Sequence, residues 1–263
     1  MNLCDLAPGD APLVIDVPHA GTHVPPEIAQ RLTPAARAVP DTDWHVEKLY
    51  AFARGAGVTL FVATHSRYVV DLNRNPSGAA LYPGADNTEL CPTRTFANEP
   101  VYADGRAPDA REIAARRAAY FDPYHARLGA EIERVRARHG YAILLDGHSI
   151  RSEVPRFFAG KLPDLNLGTA DGASCAAPVQ EAAEMVLAGT AAFTSVVNGR
   201  FKGGYVTRHY GDPDRGIHAL QLEIGQASYM DENFPYPWDA RRAAPLVAVL
   251  ERLVGALLAW RQG

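Results

Sequence analysis

The chain has 263 residues, of which 47% are hydrophobic and 21% charged, and its formal net charge is -4. That length is enough for one large buried core, and the composition excludes a disordered or fibrous chain. The acidic balance argues against nucleic acid as the main partner, since phosphate-binding surfaces are basic.

Residues 1–10 are polar and carry no basic, then apolar, leader pattern. Leu13-Val14-Ile15-Asp16-Val17 reads as a buried strand that Pro18 stops. A helix is predicted from Val46 to Gly55, with Asp41 or Asp43 near its start and Gly55 or Gly57 near its end. Val58 to Ala63 and Tyr68 to Leu72 are β-rich runs. Residues 75–107 hold many Pro, Gly and Asn and predict a long loop, which in a compact domain is usually functional.

Asp109 opens the next helix, with Glu112 three residues on as in a capping box. The Arg residues between Arg106 and Arg138 alternate with Glu and Ala, as a solvated helix face does. Asp122-Pro123 predicts a kink or a fresh helix start. Beyond it Tyr124, Leu128, Ile132 and Val135 share one face, and Gly140 is the stop. Tyr141 to Asp146 is the next buried strand, Pro178 to Gly189 a helix and Ile217 to Ile224 a strand. Asp239 caps a last helix with Leu246, Leu250, Leu253 and Leu257 inward. No apolar run approaches the ~18 residues of a membrane span. Cys4, Cys91 and Cys175 are far apart and odd in number, so neither a zinc ribbon nor a disulfide framework is expected, and a reducing, cytoplasmic setting fits. Strands alternating with helices predict an α/β fold: one domain over 1–263, in three α/β/α layers about a mostly parallel or mixed sheet.

Polar clusters sit where these strands should end, which is where open α/β sheets place ligands. His19 follows the first strand and precedes Gly21; Asp146-Gly147-His148-Ser149 repeats that arrangement. Two such histidines in one sheet predict a shared metal. A catalytic zinc site often takes two His and one carboxylate, here Asp43, or Asp41 in second place. His23 ranks lower, because Pro25 and Pro26 oppose a helical HxxxH pair. Glu223 lies in the apolar run Leu220-Gln221-Leu222-Glu223-Ile224, where an unpaired carboxylate is costly; the alternatives are a general base beside a metal or an edge-strand acid facing solvent. Arg67, Arg74 and Arg208 lie in or beside expected strands and offer forks for carboxylates, or structural pairs such as one with Asp71. Gly147-His148-Ser149-Ile150-Arg151 imitates a GxSxG elbow but ends in Arg, which makes Ser149 a minor candidate nucleophile.

With these residues assembled, the chain resembles the N-formylglutamate amidohydrolase family. The likeness is densest in Val17 to Thr22, Pro40 to His45, Ser66 to Arg74, Leu81-Tyr82-Pro83-Gly84, Asp146 to Ser149 and Asn198 to Gly211. It implies a fold similar to zinc carboxypeptidases and acylase-type amidohydrolases. It also implies hydrolysis of N-formyl-L-glutamate to formate and glutamate in histidine degradation. One divalent ion, expected to be zinc, would sit on His19, Asp43 and His148, with Glu223 as the base. Arg67, Asn73, Arg74, Tyr205, Arg208 and His209 are the substrate contacts it suggests. The expected partner is that small acidic substrate, not nucleic acid or membrane, and self-association is compatible with the chain. Two other readings stand beside this one: an amidohydrolase for another N-acyl acidic amino acid, and a non-catalytic dicarboxylate binder.

Overall fold

The computed structural model describes residues 2–81, 84 and 86–262. Tyr82 and Pro83 of the Leu81 to Gly84 motif lie outside the described residues. The strands are β1 (Cys4–Ala7), β2 (Leu13–Val17), β3 (Thr59–Ala63), β4 (Ala142–Ile150), β5 (Leu165–Gly168), β6 (Ser195–Val197) and β7 (Ile217–Gly225). They form one sheet in the order β1-β3-β2-β4-β7-β5-β6. The β3-β2-β4-β7 pairings are parallel, as is β5-β6, while β1 and β5 join antiparallel. The helices are α1 (Pro26–Ala29), α2 (Val46–Leu49), α3 (Ala110–Arg116), α4 (Asp122–His139), α5 (Ala177–Ala188), α6 (Tyr205–Tyr210) and α7 (Ala240–Ala259).

The three expected layers are present. Alternate strand residues Leu13, Ile15, Ile143, Leu145, Leu220 and Leu222 pack on α2, α5 and α7, whose inward stripe includes Leu246, Leu250, Leu253 and Leu257. The intervening residues Val14, Ala142, Leu144 and Ala219 pack on Tyr124, Leu128, Ile132 and Val135 of α4. Asp109 and Asp239 both cap as expected, accepting from Glu112 N and from Arg241 N and Arg242 N. A π-helical turn over Arg117–Phe121 separates α3 from α4 at the predicted break. Gly140 ends α4 at φ 82°, a left-handed position suited to glycine. No helix among the described residues is long and apolar enough to cross a membrane.

Three expectations need correction. Tyr68 to Leu72 is not a strand but a buried turn segment, despite its β-branched residues. Its backbone groups bond into loops instead, Asp71 N to Leu90 O at 2.7 Å for one. The helix from Val46 to Gly55 is α2 plus a 3₁₀ turn over Ala51–Ala56, and no side chain caps it. β4 runs four residues past the expected end at Asp146, to Ile150, so His148 lies inside a strand and not beyond it. The short strands β1, β5 and β6 had no signal strong enough to be read.

His125 carries a pH prediction. It is buried on α4, with Nε2 donating to the Leu72 carbonyl at 2.9 Å and Nδ1 lying 3.0 Å from the Tyr210 hydroxyl. Burial pushes its imidazole down to about 4 from 6.5. Below 6.5 the unfolded chain takes up this proton and the folded one does not, so stability falls as pH falls from 6.5 towards about 4. At ~1.4 kcal/mol per pH unit the group contributes roughly 3 kcal/mol across that window. His125→Gln should flatten this part of the stability profile in denaturant melts between pH 7 and 4.5. Parallel wild-type and variant profiles would refute it.

Candidate active site

Along the central strands one sheet face turns from apolar to polar towards the C-terminal end. Val14 gives way to Asp16 on β2, Ala142 and Leu144 to Asp146 and His148 on β4, and Ile217 and Ala219 to Gln221 and Glu223 on β7. Register sets Asp16 beside Asp146 and His148 beside Glu223. Two loops complete the cluster. His19 follows β2 directly, and Asp43 is tied to it by Asp43 N donating to His19 O at 3.0 Å.

His19, Asp43 and His148 each present one ligand-type atom, and these atoms lie within 4.8 Å of one another. Asp43 Oδ2 is 3.8 Å from His19 Nδ1 and 2.9 Å from His148 Nδ1. Both rings therefore turn Nδ1 to the same place. The far nitrogens are each backed by a buried carboxylate: His19 Nε2 by Asp71 Oδ1 at 2.8 Å, and His148 Nε2 by Asp146 Oδ1 at 2.8 Å. His19 Nδ1 is buried without a hydrogen-bond partner among the described residues. Burial lowers the His19 imidazole, and Arg67 lowers it further. Burial also opposes charge on His148, but Asp146 and Asp43 outweigh it and raise this group well above the usual range.

Arg67 is buried against the cluster. Its Nη2 donates to Asp43 Oδ1 at 2.5 Å, and its Nη1 is 3.7 Å from Asp71 Oδ2. Burial raises the Asp43 carboxyl, yet Arg67, with help from His148 and His19, holds it down at about 2. Asp41 does not join the three: its Oδ2 accepts from Tyr68 OH at 2.7 Å and from Phe96 N at 2.9 Å.

Glu223 is buried on β7 opposite His148, not on a solvent edge. Burial pushes its carboxyl up to about 8. Gln221 Nε2 donates to its Oε2 at 3.4 Å. Ser149 points to the other face, where its Oγ accepts from Tyr229 OH at 2.8 Å and Gln226 Nε2 at 3.3 Å. β4 continues through it with no strand-to-helix turn, so it does not form a nucleophile elbow.

A pocket opens over this cluster, lined by His19, Arg67, Asn73, Arg74, His148 and Glu223 together with Phe96, Phe157, Arg200 and Phe201. Asn73 ties the cluster to α6. Its Nδ2 donates to Asp146 Oδ2 at 3.2 Å and lies 2.8 Å from His148 Nε2, and its Oδ1 accepts from Val206 N at 2.7 Å. Gly204 allows this contact, since a Cβ there would fall 2.4 Å from Asn73 Nδ2. Arg74 and Arg67 stand on the irregular segment after β3, and Arg208 on helix α6, so none of the three lies in a strand. Tyr205, Arg208 and His209 do not line this pocket. They border a neighbouring cavity beside Asn75 and Leu81, with the Tyr205 and His209 rings stacked 4.8 Å apart.

Sequence reasoning missed the acids that back the two histidines. Asp146 was detectable, being two residues before His148 on one strand and so on the same face. Asp71 had no such signal, because it lies in a turn, 52 positions from His19.

A family model described as N-formylglutamate amidohydrolase matches residues 11–230. A protein named N-formylglutamate deformylase from Pseudomonas putida is 46% identical over 252 residues, which cover 96% of this chain and 94% of that one. Its namesake from Pseudomonas aeruginosa is likewise 46% identical over 252 residues, with the same coverage of 96% and 94%. Among solved structures, N-formylglutamate amidohydrolase from Ralstonia eutropha JMP134 matches with a TM-score of 0.79 at 27% identity, covering 97% of this chain and 95% of that one. A gene product from Agrobacterium tumefaciens, 17% identical, matches with a TM-score of 0.74 over 98% of this chain and 95% of that one, a likeness of fold alone.

Proposed function

We infer the function from this premise: the chain belongs to the N-formylglutamate amidohydrolase family. Its substrate is N-formyl-L-glutamate, and the products are formate and L-glutamate. Residues 1–263 act as one amidohydrolase-like domain, a reading the single sheet supports. The reaction depends on one divalent metal ion. The observation that carries this is the convergence of two Nδ1 atoms on Asp43 Oδ2, each imidazole backed by a carboxylate. Carboxylate-backed histidines are the usual outer shell of a metal site.

The residues fit such an ion. His19 Nδ1 is a buried orphan atom. The buried acids Asp43, Asp71 and Glu223 crowd around Arg67, with Asp146 behind His148, and a cation would offset that excess of negative charge. Two imidazoles and one carboxylate are a zinc donor set, so His19, Asp43 and His148 would hold zinc. When bound, the ion supplies Lewis acidity, polarising a carbonyl and lowering the pKa of a water from ~15.7 to ~7.

The chain's own residues perform the rest. Arg67 occupies Asp43 Oδ1 and so leaves Oδ2 turned to the two histidines. Asn73 and Asp146 fix the His148 ring. Glu223 accepts a proton from the attacking water at its carboxylate as the new C–O bond forms, and it returns that proton to the formamide nitrogen as the C–N bond breaks. Burial alone favours protonated Glu223, while a neighbouring cation favours the carboxylate the base needs. Arg74 on the pocket wall meets one substrate carboxylate. The buried free thiols Cys4, Cys91 and Cys175 suit a reducing cytoplasm.

Formate release from N-formyl-L-glutamate, measured with and without a chelator, tests this reading. Activity that the chelator abolishes and zinc restores is the expected result. Full activity in the chelator would remove the metal, and a protein that binds glutamate but releases no formate would be a binder.

A further inference from the structure

Asp43 stands on a stretch with no helix or strand to hold it. Pro40 to His45 is a run of turns, and His45 at its end takes a left-handed φ of 65°. Asp43 N reaches His19 O, but both carbonyls that flank Asp43 are held from across the molecule. Gln226 Nε2 donates to Thr42 O at 3.0 Å, and Tyr229 OH donates to Trp44 O at 2.6 Å.

Both donors come from one place. Gln226 opens a 3₁₀ turn over Gln226–Ser228, immediately after β7, and Tyr229 closes it. Both side chains are buried, and they lie 3.3 Å and 2.8 Å from Ser149 Oγ. Ser149 is the β4 residue whose backbone N donates to Asp43 Oδ2 at 3.0 Å. The turn is itself fastened to the chain beyond β4: Glu232 Oε1 accepts from Ala227 N at 3.0 Å and from Ser152 N at 2.6 Å. β4 carries His148, and β7 carries Glu223 just ahead of Gln226. One turn therefore ties the Asp43 run to the two strands that carry the rest of the central cluster.

We propose that Gln226 and Tyr229 are positioning residues for Asp43, a two-point clamp that keeps its carboxylate in place beside His19 and His148 for a bound cation. Neither residue lines the pocket. Each acts through a peptide carbonyl, so the pair sets the place of the Asp43 backbone, while Arg67 and Ser149 N set the turn of its carboxylate. Removing either donor leaves a carbonyl short of a partner, and a run without regular structure shifts to find another. Asp43 shifts with it. This assignment rests on the metal reading of the site given above.

The test reads the metal rather than turnover. Tyr229→Phe and Gln226→Met each delete one donor and keep the bulk of the side chain. Tyr141→Phe is the control: it deletes a hydroxyl that donates to Trp260 O at 3.0 Å, at the opposite end of β4. Zinc Kd is measured by competition with a chromophoric chelator, well below the melting temperature of each variant. The visible spectrum is then recorded with cobalt in place of zinc. Kd should rise ~10-fold in each clamp variant, the lower end of the range for residues that orient ligands. The cobalt bands should shift in both, while the control keeps the wild-type Kd and spectrum. A merely structural role would lower the melting temperature and move neither readout. A Kd within threefold of wild type in both clamp variants overturns the assignment, as does an equal rise in the control. Wild-type protein that binds neither zinc nor cobalt overturns the metal reading itself, and the clamp with it.

Discussion

Glu223→Gln is expected to lower kcat for formate release by ~10²-fold or more, the usual scale for loss of a general base. The reason is geometric. Glu223 is a buried acid, in register with His148 and on the same sheet face, so it overlooks the place where a formamide would lie. Gln keeps the size of the side chain and its contact with Gln221. Because burial already disfavours charge on this carboxyl, holding it up at about 8, a neutral replacement should not destabilise the metal-free protein near neutral pH. Metal content and melting temperature should therefore match wild type. Wild-type kcat/KM should rise with pH along an acid limb as Glu223 gives up its proton, and the variant should lose that limb. Ser149→Ala is the control. It removes a buried acceptor of the Tyr229 hydroxyl, so a modest loss of stability is expected, with activity largely kept. An inactive Ser149→Ala beside an active Glu223→Gln would overturn this mechanism.

His148→Ala or His19→Ala should remove the metal. Purified wild-type protein should hold about one divalent ion per chain, and either variant almost none, by elemental analysis after dialysis. Loss of an ion worth several kcal/mol of transition-state stabilisation should lower kcat ~10³-fold or more. The acids behind the two rings give a graded version of this result. Asp71→Asn and Asp146→Asn keep the ligands but weaken ring orientation and basicity, so metal affinity should fall ~10- to 100-fold without vanishing. Full occupancy in both histidine variants would show that these rings are not ligands.

The core elements were legible because their signals are local. The 3.6-residue period of α4 and α7 and the apolar runs of β2, β4 and β7 need no partner to be recognised. The same period-2 rule makes Asp146 and His148 share a face, and the DGHS run with His19 pointed to one site before any geometry was known. Asp43 against Asp41 could not be settled that way. Both precede α2 within five positions, and only the fold turns Asp43 inward to Arg67 while Asp41 meets Tyr68.

The sequence by itself determined the layered α/β architecture and the candidate ligands His19 and His148, because periodicity and strand-end placement are properties of short stretches. Tertiary structure alone decided where each arginine stands. Tyr68 to Leu72 has the β-branched content of a strand, yet the sheet does not admit it as one, and it becomes a buried turn that carries Asp71 to His19, with Arg67 just before it set against Asp43. Arg208 was set outward on α6, while Arg200 was brought to the pocket rim by a loop pressed against β5. Charge pairs such as Arg67 with Asp43 span 24 positions. A guanidinium's partner is chosen by which distant acid shares its buried space, and no local period encodes that choice.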